Sequence, residues 1–255
     1  MKKTYLLIVS LVLVISLILA INVSSSMLIP ANENALENGK APDHSPVITR
    51  TQSGQWDLER VDFIHYAKPT SSGKPGKTET CYKLMGVKWS NVPVNYVINP
   101  VNSQALSADF ITSAIFNSAE TWDSETSQEL FSDSYSLDTS AKYGIQDFKN
   151  VLEFGDYGNN NVIAITSVWF TRKGKQIVEF DQLYNTRFQW GDAIVNPEKM
   201  DLQNIATHEL GHAIGLDDIY SASCSSVTMY GYSTEGETSK RTLEQPDTIG
   251  LQKMY

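Results

Sequence analysis

His208-Glu209-Leu210-Gly211-His212 constrains this chain more than any other stretch of its 255 residues. Residues four apart on a helix share one face, so a helix through this segment brings two imidazoles together around one metal ion. Glu209, next to the first histidine, then sits within reach of a water on that ion. The continuation Ala213-Ile214-Gly215-Leu216-Asp217-Asp218 extends the constraint. A glycine three positions past the second histidine can take positive φ and end the helix sharply. The chain then swings back, and Asp218 supplies a third ligand; Asp217 is the alternative, at a less suitable offset. Three protein ligands and one water form the open tetrahedron that catalytic zinc uses. Ser226-Val227-Thr228-Met229-Tyr230 can pass beneath that site as a tight turn, with Met229 at its floor. Tyr230 and Tyr232 can reach a developing oxyanion or serve as pocket aromatics.

The surrounding pattern is α+β. Leu202, Ile205, Ala206, Leu210 and Ala213 recur at helical spacing across Asp201 to Ile214. The same spacing holds from Ser107 to Trp122, with Ser107 as N-cap. Pro246 to Met254 forms a last helix with proline in its first turn. Val92, Val94, Tyr96 and Ile98 alternate as a strand that stops at Asn99-Pro100. Val151 to Phe154 is a short strand. Asn161 to Phe170 and Gln176 to Tyr184 are two more, joined by a hairpin at Thr171-Arg172-Lys173-Gly174-Lys175. Strands precede and helices frame them. The segment from Gly231 to Arg241, rich in Ser, Thr, Glu and Gly, reads as a mobile specificity loop.

Charge separates the ends of the chain. With 20 Lys+Arg against 29 Asp+Glu, the net charge is −9. Residues 79–255 carry 12 basic and 23 acidic side chains, so no positive stripe exists for nucleic acid. Met1-Lys2-Lys3 leads into an uncharged apolar run, Tyr5 to Val23. That pattern is either a cleaved export signal or an uncleaved single-span anchor. In both cases the rest of the chain lies outside the cytoplasm. Three regions result: 1–23 as signal or anchor, 24–78 as linker or pro-segment, and 79–255 as the catalytic domain. A pro-segment would delay activity until removed. Within 24–78, Trp56 to Tyr66 is apolar enough to dock, while Ser71-Ser72-Gly73-Lys74-Pro75-Gly76-Lys77 reads as a flexible linker. In an exported chain Cys81 and Cys224 are expected to form a disulfide, with free thiols the alternative.

His208-Glu209-x-x-His212-x-x-Gly215-x-x-Asp218 followed by Met229 resembles the metzincin zinc endopeptidases, and within them the matrixin-like branch of bacteria and archaea. Gly86-Val87-Lys88-Trp89, Glu179-Phe180-Asp181 leading to Asn185, and Asp247 to Tyr255 share the likeness. The resemblance implies a metzincin-like domain: a twisted mixed sheet with an antiparallel edge strand, an active-site helix and a C-terminal helix. It implies one catalytic zinc, Glu209 as general base, and Met229 in a Met-turn. It also implies that the strand near Val162 to Val168 is the sheet edge that pairs with an extended substrate. The expected partner is a protein or peptide substrate, met by a monomer. The alternative is a non-catalytic zinc-stabilised binding module, against which an intact Glu209 argues.

Three departures stand out. The usual third ligand is histidine, whereas Asp218 resembles the snapalysin branch; a carboxylate cancels one unit of metal charge and should leave the bound water less acidic. Cys81 lacks the flanking arginine and following glycine of the cysteine switch. Only His44, His65, His208 and His212 occur, which leaves none after Cys81 for a structural zinc. Asp181 and Asn185 could hold calcium, although a capped strand end is the preferred reading.

Overall fold

The computed structural model describes residues 47–53, 56–69 and 80–255. The apolar run Tyr5 to Val23, His44 and the Ser71 to Lys77 linker lie outside the described residues. Among the described residues, no helix is long and apolar enough to cross a membrane.

The elements follow in chain order: β1 (Val47–Ser53), β2 (Trp56–Ala67), β3 (Val97–Ile98), α1 (Ala108–Asp123), β4 (Ser136–Leu137), β5 (Val151–Gly155), β6 (Val162–Thr171), β7 (Ile177–Asn185), β8 (Trp190–Gly191), β9 (Met200–Asp201), α2 (Leu202–Ala213), β10 (Tyr232–Ser233) and α3 (Gln245–Gln252). One mixed sheet runs β1-β2-β6-β7-β5-β3-β4, and β10 adds to β2. The β1, β2, β6 and β7 strands pair antiparallel; β7, β5, β3 and β4 pair parallel. With α1, α2 and α3 this is the α+β architecture that the sequence pattern predicts.

Local chemistry explains the helices. Ser107 Oγ accepts the Phe110 amide at 3.2 Å and caps α1. The buried face of α1 carries Ile111, Ile115, Ala119 and Trp122. It lies against α2, where the Trp122 indole N–H donates to the Thr207 carbonyl at 2.7 Å. Asp201 caps α2 by accepting the Asn204 amide at 2.8 Å. Two apolar clusters result, one between sheet and helices and a smaller one around Tyr66, Ile165, Leu183, Cys224 and Tyr230. The Cys81–Cys224 disulfide, with Cα atoms 5.4 Å apart, pins the smaller cluster.

Two expectations change, the extent of the first strand and the free sheet edge. The strand expected from Val92 to Ile98 shrinks to Val97–Ile98, while Val94 makes only an isolated bridge to Phe131. Pro93, between Val92 and Val94, has no N–H to give a ladder. Val47–Ser53 and Trp56–Ala67, the second containing the stretch expected to dock, form strands of the main sheet. As a consequence the strand at Val162 to Val168 is not a free edge: β2 pairs along it from Leu58↔Thr171 to Tyr66↔Val162.

Candidate metal centre

The helix α2 is buried on every side, so its polar residues at 208, 209 and 212 must be satisfied inside the protein. His208 Nδ1 faces the Thr228 carbonyl at 2.7 Å, and His212 Nδ1 faces the Leu216 carbonyl at 2.9 Å. Each Nδ1 therefore carries the proton, and each Nε2 presents its lone pair to the space between the rings.

Gly215 ends the helix at φ +107°. The Leu216 amide returns to the Gly211 carbonyl at 3.0 Å, and the Met85 amide meets the Gly215 carbonyl at 2.9 Å. The reversal brings Asp218 back over the helix, as the spacing predicts. Asp218 Oδ1 lies 3.2 Å from His208 Nε2 and 3.5 Å from His212 Nε2, and the two Nε2 atoms are 3.1 Å apart. A tetrahedral zinc with ligand bonds of about 2.0–2.1 Å has edges of roughly 3.3 Å, so the triangle has the size that zinc requires. Asp218 Oδ1 accepts no hydrogen bond, although it is buried. Its other oxygen accepts the Tyr220 hydroxyl at 2.9 Å. An acceptor oxygen left bare beside two inward lone pairs is a donor set that fits a divalent cation. Asp217 points elsewhere and pairs with Lys83 at 2.7 Å.

The electrostatics agree with this. Burial disfavours charge on His212, but the Asp218 carboxylate outweighs it and lifts the imidazole to about 9. Burial alone would raise Asp218; the two imidazoles outweigh it and hold the carboxyl well below its usual range. Burial pushes His208 down to about 4.

Glu209 lies beside this triangle, wholly buried. Burial pushes its carboxyl up to about 7, against the opposing pull of His212 and of a hydrogen bond from Thr166. The Thr166 hydroxyl on β6 donates to Glu209 Oε2, while Oε1 accepts no hydrogen bond and faces the triangle's neighbour His65.

Met229 is fully buried below α2, and a Cβ at Gly211 would collide with its sulfur. The turn that carries it is held from two directions. The Ile219 amide donates to the Met229 carbonyl at 2.9 Å. Asp247, at the start of α3, accepts the Thr228 and Met229 amides at 2.8 and 3.1 Å.

The structure brings His208, Glu209, His212, Asp218 and Met229 together, and Cys81 with Cys224. Asp181 and Asn185 do not form a cation site. Asp181 accepts the Gly144 and Val151 amides at 2.7 and 3.0 Å, and Asn185 donates to the Asn159 and Val162 carbonyls at 2.8 and 2.6 Å. The segment Gly231 to Arg241 is not the loose loop its composition suggests. Lys240 is buried there and donates to the Tyr232 carbonyl, Ser233 Oγ and Glu237 at 2.6 to 3.0 Å. The Tyr230 and Tyr232 rings pack against each other in the smaller cluster, whereas Tyr220 is the tyrosine that reaches the site. Sequence reasoning passed over Thr166, Tyr220 and His65. Alternation along β6 was the only signal for Thr166, and nothing local marked the other two.

The matrixin family profile matches residues 88–255. No curated protein matches the chain significantly.

Proposed function

The chain belongs to the matrixin family of zinc metalloproteases, and from that premise we propose an exported endopeptidase whose single zinc ion is held by His208, His212 and Asp218. The observation that carries the reading is the triangle of two Nε2 atoms and Asp218 Oδ1, with edges of 3.1, 3.2 and 3.5 Å. When bound, zinc supplies Lewis acidity that polarises a peptide carbonyl and acidifies water.

The chain's own groups do the rest. The Thr228 and Leu216 carbonyls fix the imidazole tautomers. Tyr220 holds one oxygen of Asp218 and so aims the other. Glu209 takes a proton from the attacking water and passes it to the leaving amine. Thr166 holds the carboxylate by one oxygen and leaves the other for the water. The Cys81–Cys224 disulfide supports an oxidising destination.

The test is zinc content per chain measured together with casein cleavage, before and after a chelator and after limited proteolysis of the region before Cys81. One zinc per chain and chelator-sensitive cleavage are expected. Absence of zinc from the purified protein even in excess metal would refute the reading.

A further inference from the structure

An endopeptidase must bring a substrate backbone to Glu209 and the ligand triangle, yet His208 and Glu209 are wholly shielded from solvent and His212 almost so. The shield is the chain's own β2. It lies antiparallel to β6 along its length and parallel to β10 at Tyr66↔Tyr232 and Ala67↔Ser233. The Ala67 amide donates to the Asn161 carbonyl and the Lys68 amide to the Ser233 carbonyl, both at 2.8 Å. This is strand addition to a sheet edge, the way an extended peptide docks by main-chain hydrogen bonds.

Side chains follow the two-residue period of a strand. Phe63 and His65 point to the same face, and each covers one site imidazole. The Phe63 ring stacks on His212 at 4.2 Å and 11°, and the His65 ring meets His208 edge-on at 3.9 Å. His65 Nδ1 stands 3.3 Å from Glu209 Oε1, the oxygen left free for the attacking water. Its Nε2 is held by Ser233 Oγ at 2.9 Å, and Ser233 is in turn anchored by Lys240.

We infer that residues 56–67 are a built-in occupant of the peptide groove, with His65 as the plug over Glu209, and that the enzyme is latent until this strand is displaced. The inference rests on the endopeptidase reading above. The latency works without a cysteine switch, because Cys81 is committed to Cys224. A chain cut between β2 and Cys81 makes the strand's binding bimolecular and sensitive to dilution.

The experiment places a site-specific protease sequence after Gly73 in the full chain and compares intact with nicked protein on a fluorogenic peptide. The nicked protein, diluted, should turn over at least about tenfold faster per molecule than the intact one. A synthetic 56–67 peptide should restore inhibition competitively, and its His65→Ala version at least about tenfold more weakly. In the uncut chain, Ala67→Pro, which removes an amide donor remote from Glu209, should raise activity too. Equal zinc-dependent activity of intact, nicked and Ala67→Pro proteins would overturn the latency and leave the endopeptidase standing. Inactivity of all forms with zinc bound, alongside His65-dependent binding of labelled peptide to the nicked protein, would instead sink the endopeptidase reading and leave the occupancy intact. Failure of the peptide to bind would overturn the occupancy.

Discussion

Thr166 Oγ1 lies 2.5 Å from Glu209 Oε2, a hydrogen bond that joins the strand β6 to the centre of the helix α2. Both residues are wholly buried, and the only other acceptor near the hydroxyl among the described residues is the Glu209 carbonyl at 3.4 Å. The pair makes the strand on which β2 lies also the element that orients the proposed base. Thr166→Val, nearly the same shape without the donor, should lower kcat by about tenfold to a hundredfold with KM little changed. Thr166→Ser should recover most of the loss. Glu209→Ala should leave zinc bound and cost about 10²–10⁴ in turnover. Steady-state kinetics on the nicked protein, with zinc measured in each variant, check these values. A Thr166→Val effect confined to KM would place the hydroxyl in substrate binding instead.

Asp218 is the proposed ligand least legible from the family pattern, and its environment separates its two oxygens. Asp218→Asn keeps the volume but loses the anion that holds two imidazoles, so zinc affinity should fall by more than the roughly 10–100-fold typical of outer partners. Tyr220→Phe removes only the hydrogen bond to the far oxygen and should fall within that range. Competition with a chromogenic chelator gives both numbers. If Asp218→Asn binds zinc like the parent protein, the third ligand is another group.

Gly215 is where the turn of the chain toward Asp218 depends on a missing side chain. At φ +107° an L side chain is strained, and a Cβ there would run into the Val87 carbonyl oxygen. Gly215→Ala should destabilise by at least about 2 kcal/mol and weaken zinc binding as well, since helix end and ligand move together. Thermal unfolding with and without zinc measures both. A stable variant with normal zinc affinity would show that the reversal does not depend on this geometry.

The Cys81–Cys224 link closes a sequence separation of 143 residues and anchors the chain just where the segment bearing β2 ends. Replacing both cysteines by serine should cost up to roughly 4–5 kcal/mol, an upper figure because denatured chains keep some structure. Urea unfolding of the double variant measures the loss. An unchanged midpoint would mean that the bond contributes little beyond the packing around Cys224.

How much of the site could be read in advance follows from the range of each interaction. Two histidines one turn apart and a glycine that can reverse the chain are local, and they place His208, Glu209, His212 and Asp218 together before any fold is known. The hairpin between β6 and β7 is equally local, and both strands appear within one residue of the expected bounds. Lys240 shows the opposite. Composition suggests a solvated loop, but three acceptors gathered from neighbouring turns allow the ammonium to be buried.

From the order of its residues alone, this chain was bound to build a zinc-sized nest on a helix, because the geometry needs only neighbours along the backbone. Whether that nest is open was decided elsewhere. Strand pairing joins residues as distant as Leu58 and Thr171 through main-chain groups that every residue carries. No side-chain pattern reports such a partner, so only the folded chain reveals that β2 lies on β6 and that His65 rests against Glu209.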